Sequence, residues 1–292
     1  MFKIKVADIV INYSAYHNDF FANRFKNYLY NGEEPGIDVR YSFDEKIELP
    51  EHEEVGKVHD ATLGRFPNGD NVMYLKSTKT GKVFNYTRHN SDFSYIESHC
   101  VDIPTTKEVR LTALDREYLK SGAMFNDRLI YEGGTCLHGS CIAYRGKGLI
   151  FSAPCGTGKS THTSLWKKLY GDDVVYVNDD KPALREKDGE IYAYGTPWSG
   201  KTELNENIAV PLAAVVFLAR GEQNKIRRLS VPEAVCYLND QTFPSVYDTR
   251  LFKNNMDFIE KLIGKVPVYM LECNISDEAV NLVKETVFKG EK

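Results

Sequence analysis

An eight-residue run near the middle of the chain has the composition of a phosphate-binding loop. Residues 153–160 read APCGTGKS, which fits the P-loop pattern apart from Ala153 in place of the first glycine. Gly156 and Gly158 let successive backbone N–H groups turn inward and form an anion-binding nest at the start of the following helix. Lys159 adds a cation for the β- and γ-phosphates, and the Ser160 hydroxyl is a suitable Mg²⁺ ligand. We therefore expect a nucleotide to contact the whole loop and the first helical turn, that is Pro154, Cys155, Gly156, Thr157, Gly158, Lys159, Ser160 and Thr161.

Two adjacent aspartates follow the next expected strand. The apolar run VVYV at 174–177 indicates a buried strand that stops before Asp179 and Asp180. A β-α-β crossover brings the end of its second strand back to the edge where the first strand ended, so both acids should lie beside the phosphates. One could take a proton from an incoming hydroxyl while the other approaches Mg²⁺. A solvated Asp-Asp-Lys turn is the alternative, and the loop shortly upstream disfavours it.

Three further side chains are candidates for contacts with substrate or phosphate. In GTPWSGK, residues 195–201, Trp198 offers a stacking face and Lys201 could neutralise a transferred phosphoryl group. A packed loop with a buried tryptophan is the alternative for Trp198. Arg220 follows an expected strand and could clamp phosphate, although an exposed arginine beside Gly221 fits the sequence equally well.

The elements that must position these residues form an α/β region from about residue 126 to 292. A hairpin is expected around Arg145 and Gly146, since glycine supplies the positive φ of a tight turn. Gly171 should end the helix that follows the loop. Apolar periodicity and capping patterns predict strands at 136–144, 148–152, 174–177, 213–219 and 266–272, and helices at 161–170, 230–238, about 251–263 and from 276 onward.

The first part of the chain, residues 1–125, predicts a smaller β-rich domain. Short β-like runs such as KIKVADIVINY and KVFNYTR alternate with turn-rich segments such as NGEEPG. One helix is expected from Asp19 to Tyr30, because Phe21, Phe25 and Leu29 recur at helical spacing. The fold class is therefore α/β, or α+β overall, with two domains.

Composition excludes several classes of protein. The 292 residues are 42% hydrophobic and 27% charged, as in folded globular proteins, and the net charge of −4 disfavours nucleic acid and an anionic membrane as partners. No run approaches the ~18 apolar residues of a spanning helix, and the N-terminus lacks the apolar core of a signal peptide. Six cysteines without a C-x-x-C pair favour reduced thiols. We expect a cytoplasmic protein.

The motifs LHGS, APCGTGKST, NDDKPAL and GTPWSGK occur in this order. Together they resemble the superfamily of HPr kinase/phosphorylase and phosphoenolpyruvate carboxykinase, nearer its HPr kinase side, over about residues 130–220. The resemblance implies a mixed-sheet P-loop domain that uses ATP and Mg²⁺. It further implies that Asp179 is the base, that Ser160 and Asp180 face the metal, and that His138 is an active-site residue. Without the resemblance, a lone histidine in an apolar strand, as at position 138, is more often a core residue with a satisfied hydrogen bond.

The function that this resemblance implies is transfer of a γ-phosphoryl group to a serine-type hydroxyl. The acceptor could be a peptide, a protein or the free amino acid, and related short kinases occur in peptide-modifying gene clusters. Kinases of the superfamily often assemble, which leaves a homo-oligomer open. Two alternatives are a non-catalytic nucleotide sensor that binds a partner peptide, and carboxykinase-like phosphotransfer.

Overall fold

The computed structural model describes residues 1–102, 111–245 and 247–289, and it is a mixed α/β protein with two mixed sheets. The chain divides into two compact units. The N-terminal unit comprises residues 1–132 and 244–252, and the C-terminal unit comprises residues 133–243 and 253–292. A short segment from the second half of the sequence thus belongs to the N-terminal unit.

The N-terminal unit contains an eight-stranded sheet with the order β1-β2-β3-β8-β7-β6-β5-β4. The β2–β3 and β3–β8 pairs are parallel, and the other pairs are antiparallel. The predicted run KIKVADIVINY is a hairpin whose turn residues Ala7 and Asp8 have positive φ. The strands are β1 (Phe2–Val6), β2 (Ile9–Ser14), β3 (Ile37–Asp44), β4 (Glu53–Val58), β5 (Ala61–Arg65), β6 (Asn71–Lys76), β7 (Val83–His89) and β8 (Tyr95–Val101).

Two helices accompany this sheet. Helix α1 (Asn18–Phe25) confirms the predicted first helix, although its last turn, Lys26–Tyr28, is a 3₁₀ turn. Helix α2 (Ala113–Tyr131) was not predicted from the sequence. It begins at a capping box between Thr112 and Asp115, a pattern that was available in the sequence. The boundary expected between residues 125 and 126 falls inside α2, because this helix continues without a break to Tyr131.

The C-terminal unit contains a nine-stranded sheet. The path β12-β10-β11-β15-β14-β13-β9 is extended by β17, which pairs with β15 and with β16. The strands are β9 (Thr135–Cys136), β10 (Gly139–Tyr144), β11 (Lys147–Ser152), β12 (Val174–Asn178), β13 (Ala183–Lys187), β14 (Glu190–Tyr194), β15 (Ala209–Arg220), β16 (Lys225–Arg228) and β17 (Val268–Cys273). The helices are α3 (Lys159–Tyr170), α4 (Val231–Asp240), α5 (Thr249–Lys265) and α6 (Asp277–Val287).

Several local predictions are confirmed in this unit. Arg145 (φ 48°) and Gly146 (φ 79°) form the tight turn between β10 and β11. Gly171 ends α3 with φ 52°, and Ser230 forms a capping box with Glu233 at the start of α4. The run predicted as one strand at 136–144 is interrupted at Leu137 and His138, so that β9 and β10 pair with different neighbours.

The direction of the strands decides where the loop and the acid pair lie. Strand β10 is antiparallel to both β11 and β12, so β11 and β12 run in the same direction. Their carboxyl ends therefore lie at one edge of the sheet, as the crossover argument predicted.

Alternating residues of β15 fill two separate hydrophobic cores. Ala214 and Val216 pack in a cluster with Trp166 of α3 and residues of α6. Val215 and Phe217 pack in a second cluster with residues of α4 and α5. Helices thus cover both faces of the sheet. Among the described residues, no helix combines the length and the apolar character needed to cross a lipid bilayer.

Candidate functional site

The segment 153–158 connects β11 to α3 and contains two glycines with positive φ. Gly156 has φ 78° and Gly158 has φ 120°, values that strain any residue with a Cβ. Gly158 is also the N-cap of α3 and supplies no side-chain hydrogen bond to the first helical turn. An anion is therefore the natural partner for the amides at this helix start.

Lys159 lies under the loop in a buried position. Its side chain is 9% exposed, and its Nζ donates to the carbonyl oxygen of Ala153 at 2.9 Å. Burial lowers the pKa of Lys159, and Cys155 and the two aspartates partly oppose that shift. The ammonium group is held by neutral backbone carbonyls, so an incoming phosphate could take it over without breaking an ion pair.

A cavity of about 350 Å³, here called the acid cavity, opens beside the loop. It is lined by Lys159 and Ser160 from the start of α3, by Asp179 and Asp180 after β12, and by Lys201. The structure therefore brings ten of the residues that the sequence singled out around one cavity, namely His138, Cys155, Gly156, Gly158, Lys159, Ser160, Thr161, Asp179, Asp180 and Lys201. Two lysines and two aspartates thus line the same cavity, so that it contains both cationic and anionic groups.

Asp179 is held in place by two hydroxyl groups. It is 6% exposed, the Ser140 hydroxyl donates to its Oδ1 at 2.6 Å, and the Thr202 hydroxyl donates to its Oδ2 at 2.9 Å. Ser140 also shares a hydrogen bond of 2.9 Å with the Thr163 hydroxyl on α3. The carboxylate is thus oriented relative to the helix that begins at the loop, and each oxygen retains a lone pair for a further partner.

Asp180 is more open to the cavity, with 30% of its side chain exposed. Its Oδ1 lies 3.6 Å from Nε2 of His138, whose Nδ1 contacts Oε1 of Gln241 at 3.1 Å. Burial lowers the pKa of His138, and Lys159 lowers it further, while Asp180 opposes both effects. Gly200 passes close to the acid, and a Cβ there would lie 3.2 Å from the Cβ of Asp180.

The remaining candidates lie in different places. Trp198 is 3% exposed and is not among the described residues that line the acid cavity, so it offers no stacking face. The packed-loop alternative describes Trp198 correctly, because its ring is buried. Arg220 does not line the acid cavity either; its Nη2 donates to the carbonyl oxygen of Gly156 at 2.8 Å and braces the loop.

The outer residues of the loop also differ in position. Cys155 lines the acid cavity, Thr157 lines a second cavity, and Thr161 lines both. The Thr157 hydroxyl donates to the carbonyl oxygen of Pro154 at 2.9 Å and closes the turn.

Sequence reasoning missed three residues that fix the site. These are Ser140 and Thr202, which hold Asp179, and Gln241, which contacts His138. A signal existed for Ser140, because it is a polar residue inside the otherwise apolar run of β10. Thr202 directly follows the GTPWSGK motif, and Gln241 lies 103 residues after His138; in neither case does the local pattern indicate the partner.

Removing the Ser140 hydroxyl should measurably destabilise the protein. Ser140→Ala leaves Asp179 and Thr163 short of a buried partner, so we expect the free energy of unfolding to fall by about 1–3 kcal/mol. Denaturant unfolding monitored by circular dichroism measures this loss. Ser164→Ala is the matched control, since the Ser164 hydroxyl is exposed, donates to the carbonyl oxygen of Ser160 at 2.7 Å and accepts only a long, exposed bond of 3.4 Å from the Tyr176 hydroxyl; a change below about 0.5 kcal/mol is expected there. If both variants lowered the free energy of unfolding equally, the Ser140 hydroxyl would not have the stabilising role proposed for its bonds to Asp179 and Thr163.

Comparison with known proteins gives a family for the chain. Residues 120–289 match the family model described as SynChlorMet cassette protein ScmC, which is more than half of the sequence. The chain belongs to the ScmC family. This is a different family from the HPr kinases that the motifs resemble. No curated protein matches the chain in a sequence search.

Among solved structures, the matches include the Hpr(Ser) kinase/phosphatase from Coxiella burnetii, at 10% sequence identity and a TM-score of 0.31. The match covers 53% of this ScmC-family chain and 94% of the other chain. A TM-score this low does not establish a shared fold.

Proposed function

We propose that this protein is a phosphotransferase that moves the γ-phosphoryl group of ATP to a hydroxyl group. The observation that carries the proposal is the acid cavity, where the glycine-rich loop and Lys159 face Asp179 and Asp180 across one space. Phosphoryl transfer depends on positioning and charge stabilisation rather than on covalent chemistry. A cationic cradle opposite an oriented carboxylate meets both needs.

The roles of the residues follow from their contacts. The loop amides and Lys159 hold the phosphates of the donor, and Lys201 faces the transferred group. Asp179, which is held by Ser140 and Thr202, accepts the proton of the acceptor hydroxyl. The acceptor oxygen forms a bond to the γ-phosphorus as the bond to the β-γ bridging oxygen breaks, and a nucleoside diphosphate leaves. The two hydrogen bonds hold the carboxylate in one orientation, which favours proton transfer from a bound hydroxyl.

The donor set beside the loop fits Mg²⁺. This ion is usually held by one or two carboxylates together with substrate phosphates and water. Ser160, exposed at the first turn of α3, and the partly exposed Asp180 both line the acid cavity and would hold it. Bound there, Mg²⁺ would neutralise phosphate charge. Among the described residues, no group of three or more His, Cys, Asp or Glu side chains could hold a metal by itself.

The test is phosphoryl transfer from ATP labelled at the γ-phosphate. The protein is incubated with Mg²⁺ and with free serine, a serine-containing peptide, or the same peptide with alanine in place of serine. We expect label on a serine-containing acceptor and none on the alanine peptide. Release of labelled phosphate without an acceptor gives a second readout, because water can replace the hydroxyl. Tight ATP binding with neither transfer nor hydrolysis would contradict the proposal and would favour a nucleotide sensor.

A further inference from the structure

Thr202 carries a hydroxyl group that already contacts the proposed general base. The residue is exposed, it lines the acid cavity, and its hydroxyl donates to Oδ2 of Asp179 at 2.9 Å. A hydroxyl that is to be phosphorylated must lie within about 2.6–3.2 Å of the group that takes its proton. The Thr202 hydroxyl therefore has the hydrogen bond that an external acceptor would have to form.

The second hydroxyl on the same carboxylate is in a different environment. Ser140 donates to Oδ1 of Asp179, but it is 0% exposed and is not among the residues that line the acid cavity. It also shares a hydrogen bond of 2.9 Å with Thr163 inside the protein. Of these two hydroxyls, Thr202 belongs to the residue that a donor bound in the acid cavity can reach.

The other hydroxyl-bearing residues of the cavity wall are less suitable acceptors. Ser199 is 1% exposed, and its hydroxyl accepts a hydrogen bond of 2.8 Å from Asn205. Ser160 and Thr161 belong to the first turn of α3, where the proposed function places the phosphates and Mg²⁺. Thr202 thus combines exposure, a place in the cavity wall and a bond to the base.

The backbone around Thr202 fixes this residue relative to Asp179. The carbonyl oxygen of Leu204 accepts from the backbone N–H of Asp179 at 3.1 Å, and Gly200 (φ 67°) and Glu203 (φ 56°) enclose Thr202 in a tight turn. A hydroxyl that the chain itself holds beside the base reacts as an intramolecular acceptor, whose effective concentration far exceeds that of a free one.

We infer that Thr202 is a site of autophosphorylation. Its Oγ1 forms a bond to the γ-phosphorus of the donor as the bond from that phosphorus to the β-γ bridging oxygen breaks. The hydroxyl proton passes to Asp179, and a nucleoside diphosphate leaves. Lys201, the preceding residue, lines the same cavity and supplies a positive charge near the new phosphate. The inference rests on the proposed function, because it uses the same donor and the same base.

Phosphorylation of Thr202 should block transfer to an external acceptor. A phosphothreonine carries about −1.5 to −2 charges at pH 7 and no longer has a hydroxyl proton to donate. It would place this charge in the cavity that Asp179 and Asp180 also line, where the acceptor hydroxyl must approach. The phosphorylated chain is therefore expected to lose activity toward a serine-containing peptide.

The experiment follows the mass of the full chain during incubation with Mg²⁺·ATP and no acceptor. The protein is first treated with a protein phosphatase, which is then removed, and fragmentation of its peptides locates the phosphate. We expect one phosphoryl group per chain, on Thr202. The rate constant should not change with protein concentration, because the acceptor and the base belong to one chain. A rate constant that rises in proportion to protein concentration would contradict an internal acceptor.

Three variants test the chemistry at this position. Thr202→Val should lose the phosphorylation at residue 202, and Thr202→Ser should recover it as phosphoserine, because serine keeps the hydroxyl. Asp179→Asn should slow the phosphorylation of Thr202 by about 10²–10⁴-fold, because it removes the base. Ser164→Ala is the matched control, since it removes an exposed hydroxyl outside the acid cavity, and it should be phosphorylated like the wild type.

A second readout distinguishes an acceptor role of Thr202 from its contact with Asp179. Thr202→Val should still phosphorylate a serine-containing peptide within about tenfold of the wild-type rate, since Ser140 still holds Asp179 and one hydrogen bond is lost. Incubation with Mg²⁺·ATP before the peptide is added should inactivate the wild type but not this variant. If Thr202→Val does not fold, the position of the phosphate in the wild-type chain still decides the question.

The outcomes separate the inference from the proposed function. If the serine-containing peptide is phosphorylated while Thr202 stays unmodified, the inference is overturned and the proposed function stands. Phosphate on Thr202 at the same rate in Asp179→Asn and wild type would also overturn it, because the base would not be involved. If neither the peptide nor the chain is phosphorylated, the proposed function fails together with the inference.

Discussion

Asp179→Asn is expected to lower the rate of phosphoryl transfer by about 10²–10⁴-fold, the usual contribution of a positioned general base. The substitution preserves the shape of the side chain but removes its capacity to take a proton. Ser140 and Thr202, which each donate to one oxygen of the carboxylate, are not part of the loop, so the site for the donor's phosphates should persist. Transfer of γ-phosphate label and calorimetric binding of Mg²⁺·ATP measure the two properties separately.

Two comparisons make the Asp179 result specific. Asp180→Asn should instead weaken the Mg²⁺-dependent part of ATP affinity, because Asp180 is the more exposed carboxylate and lies on the metal side of the proposed site. Asp173→Asn changes a surface aspartate paired with Arg145, and it should alter neither property. If Asp179→Asn transfers phosphate at the wild-type rate, Asp179 is not the base.

Lys159→Met is expected to reduce transfer by about 10²–10³-fold and to weaken ATP binding as well, because it removes the cation that faces the phosphates. Methionine fills nearly the same volume. The buried ammonium group donates to the carbonyl oxygens of Ala153 and Pro154 and forms no ion pair with any of the residues that the structure describes, so its removal should not lower the melting temperature. Loss of binding together with unchanged or increased stability is the signature of a functional rather than a structural lysine.

The control for this variant lies on the same helix. Lys168→Met removes an exposed charge from the last turn of α3 and should leave ATP binding unchanged. A Lys159→Met protein that binds ATP as tightly as the wild type would show that the lysine does not contact the donor.

The sequence predicted the parts of the site that depend on local patterns. Glycine spacing identified the loop, since Gly156 and Gly158 do adopt positive φ. The apolar run before Asp179 identified β12, and the direction of a crossover placed its end beside the loop. These inferences needed only backbone geometry and hydrophobic periodicity.

Side-chain partners from distant segments could not be predicted in this way. Thr202 donates a hydrogen bond to Asp179, and Gln241 contacts His138. Both contacts depend on the tertiary structure, and no local sequence pattern predicts them. Trp198 and Arg220 were candidates for ligand contacts on the basis of residue type alone. In the structure Trp198 is buried, and Arg220 donates a hydrogen bond to the backbone of the loop. The type of a residue indicates which interactions its side chain can form, whereas the tertiary packing determines which partners the side chain contacts.

The predicted domain boundary between residues 125 and 126 also differs from the structure, in which the N-terminal unit extends to residue 132. Helix α2 was not predicted from the sequence, although Thr112 and Asp115 form a capping box at its start, and it continues past residue 125 to Tyr131. The return of residues 244–252 to the N-terminal unit has no local signal, since it depends on contacts made after the chain has crossed the C-terminal unit.

The most direct measurement is a crystal structure of the protein with Mg²⁺ and a non-hydrolysable ATP analogue. We expect the β- and γ-phosphates on the amides of the loop, with Nζ of Lys159 moved from the carbonyl oxygen of Ala153, where it lies at 2.9 Å, to a phosphate oxygen. The γ-phosphate should face Asp179 in the acid cavity. An analogue bound elsewhere, with Lys159 still on Ala153 and the loop empty, would contradict the phosphotransferase account.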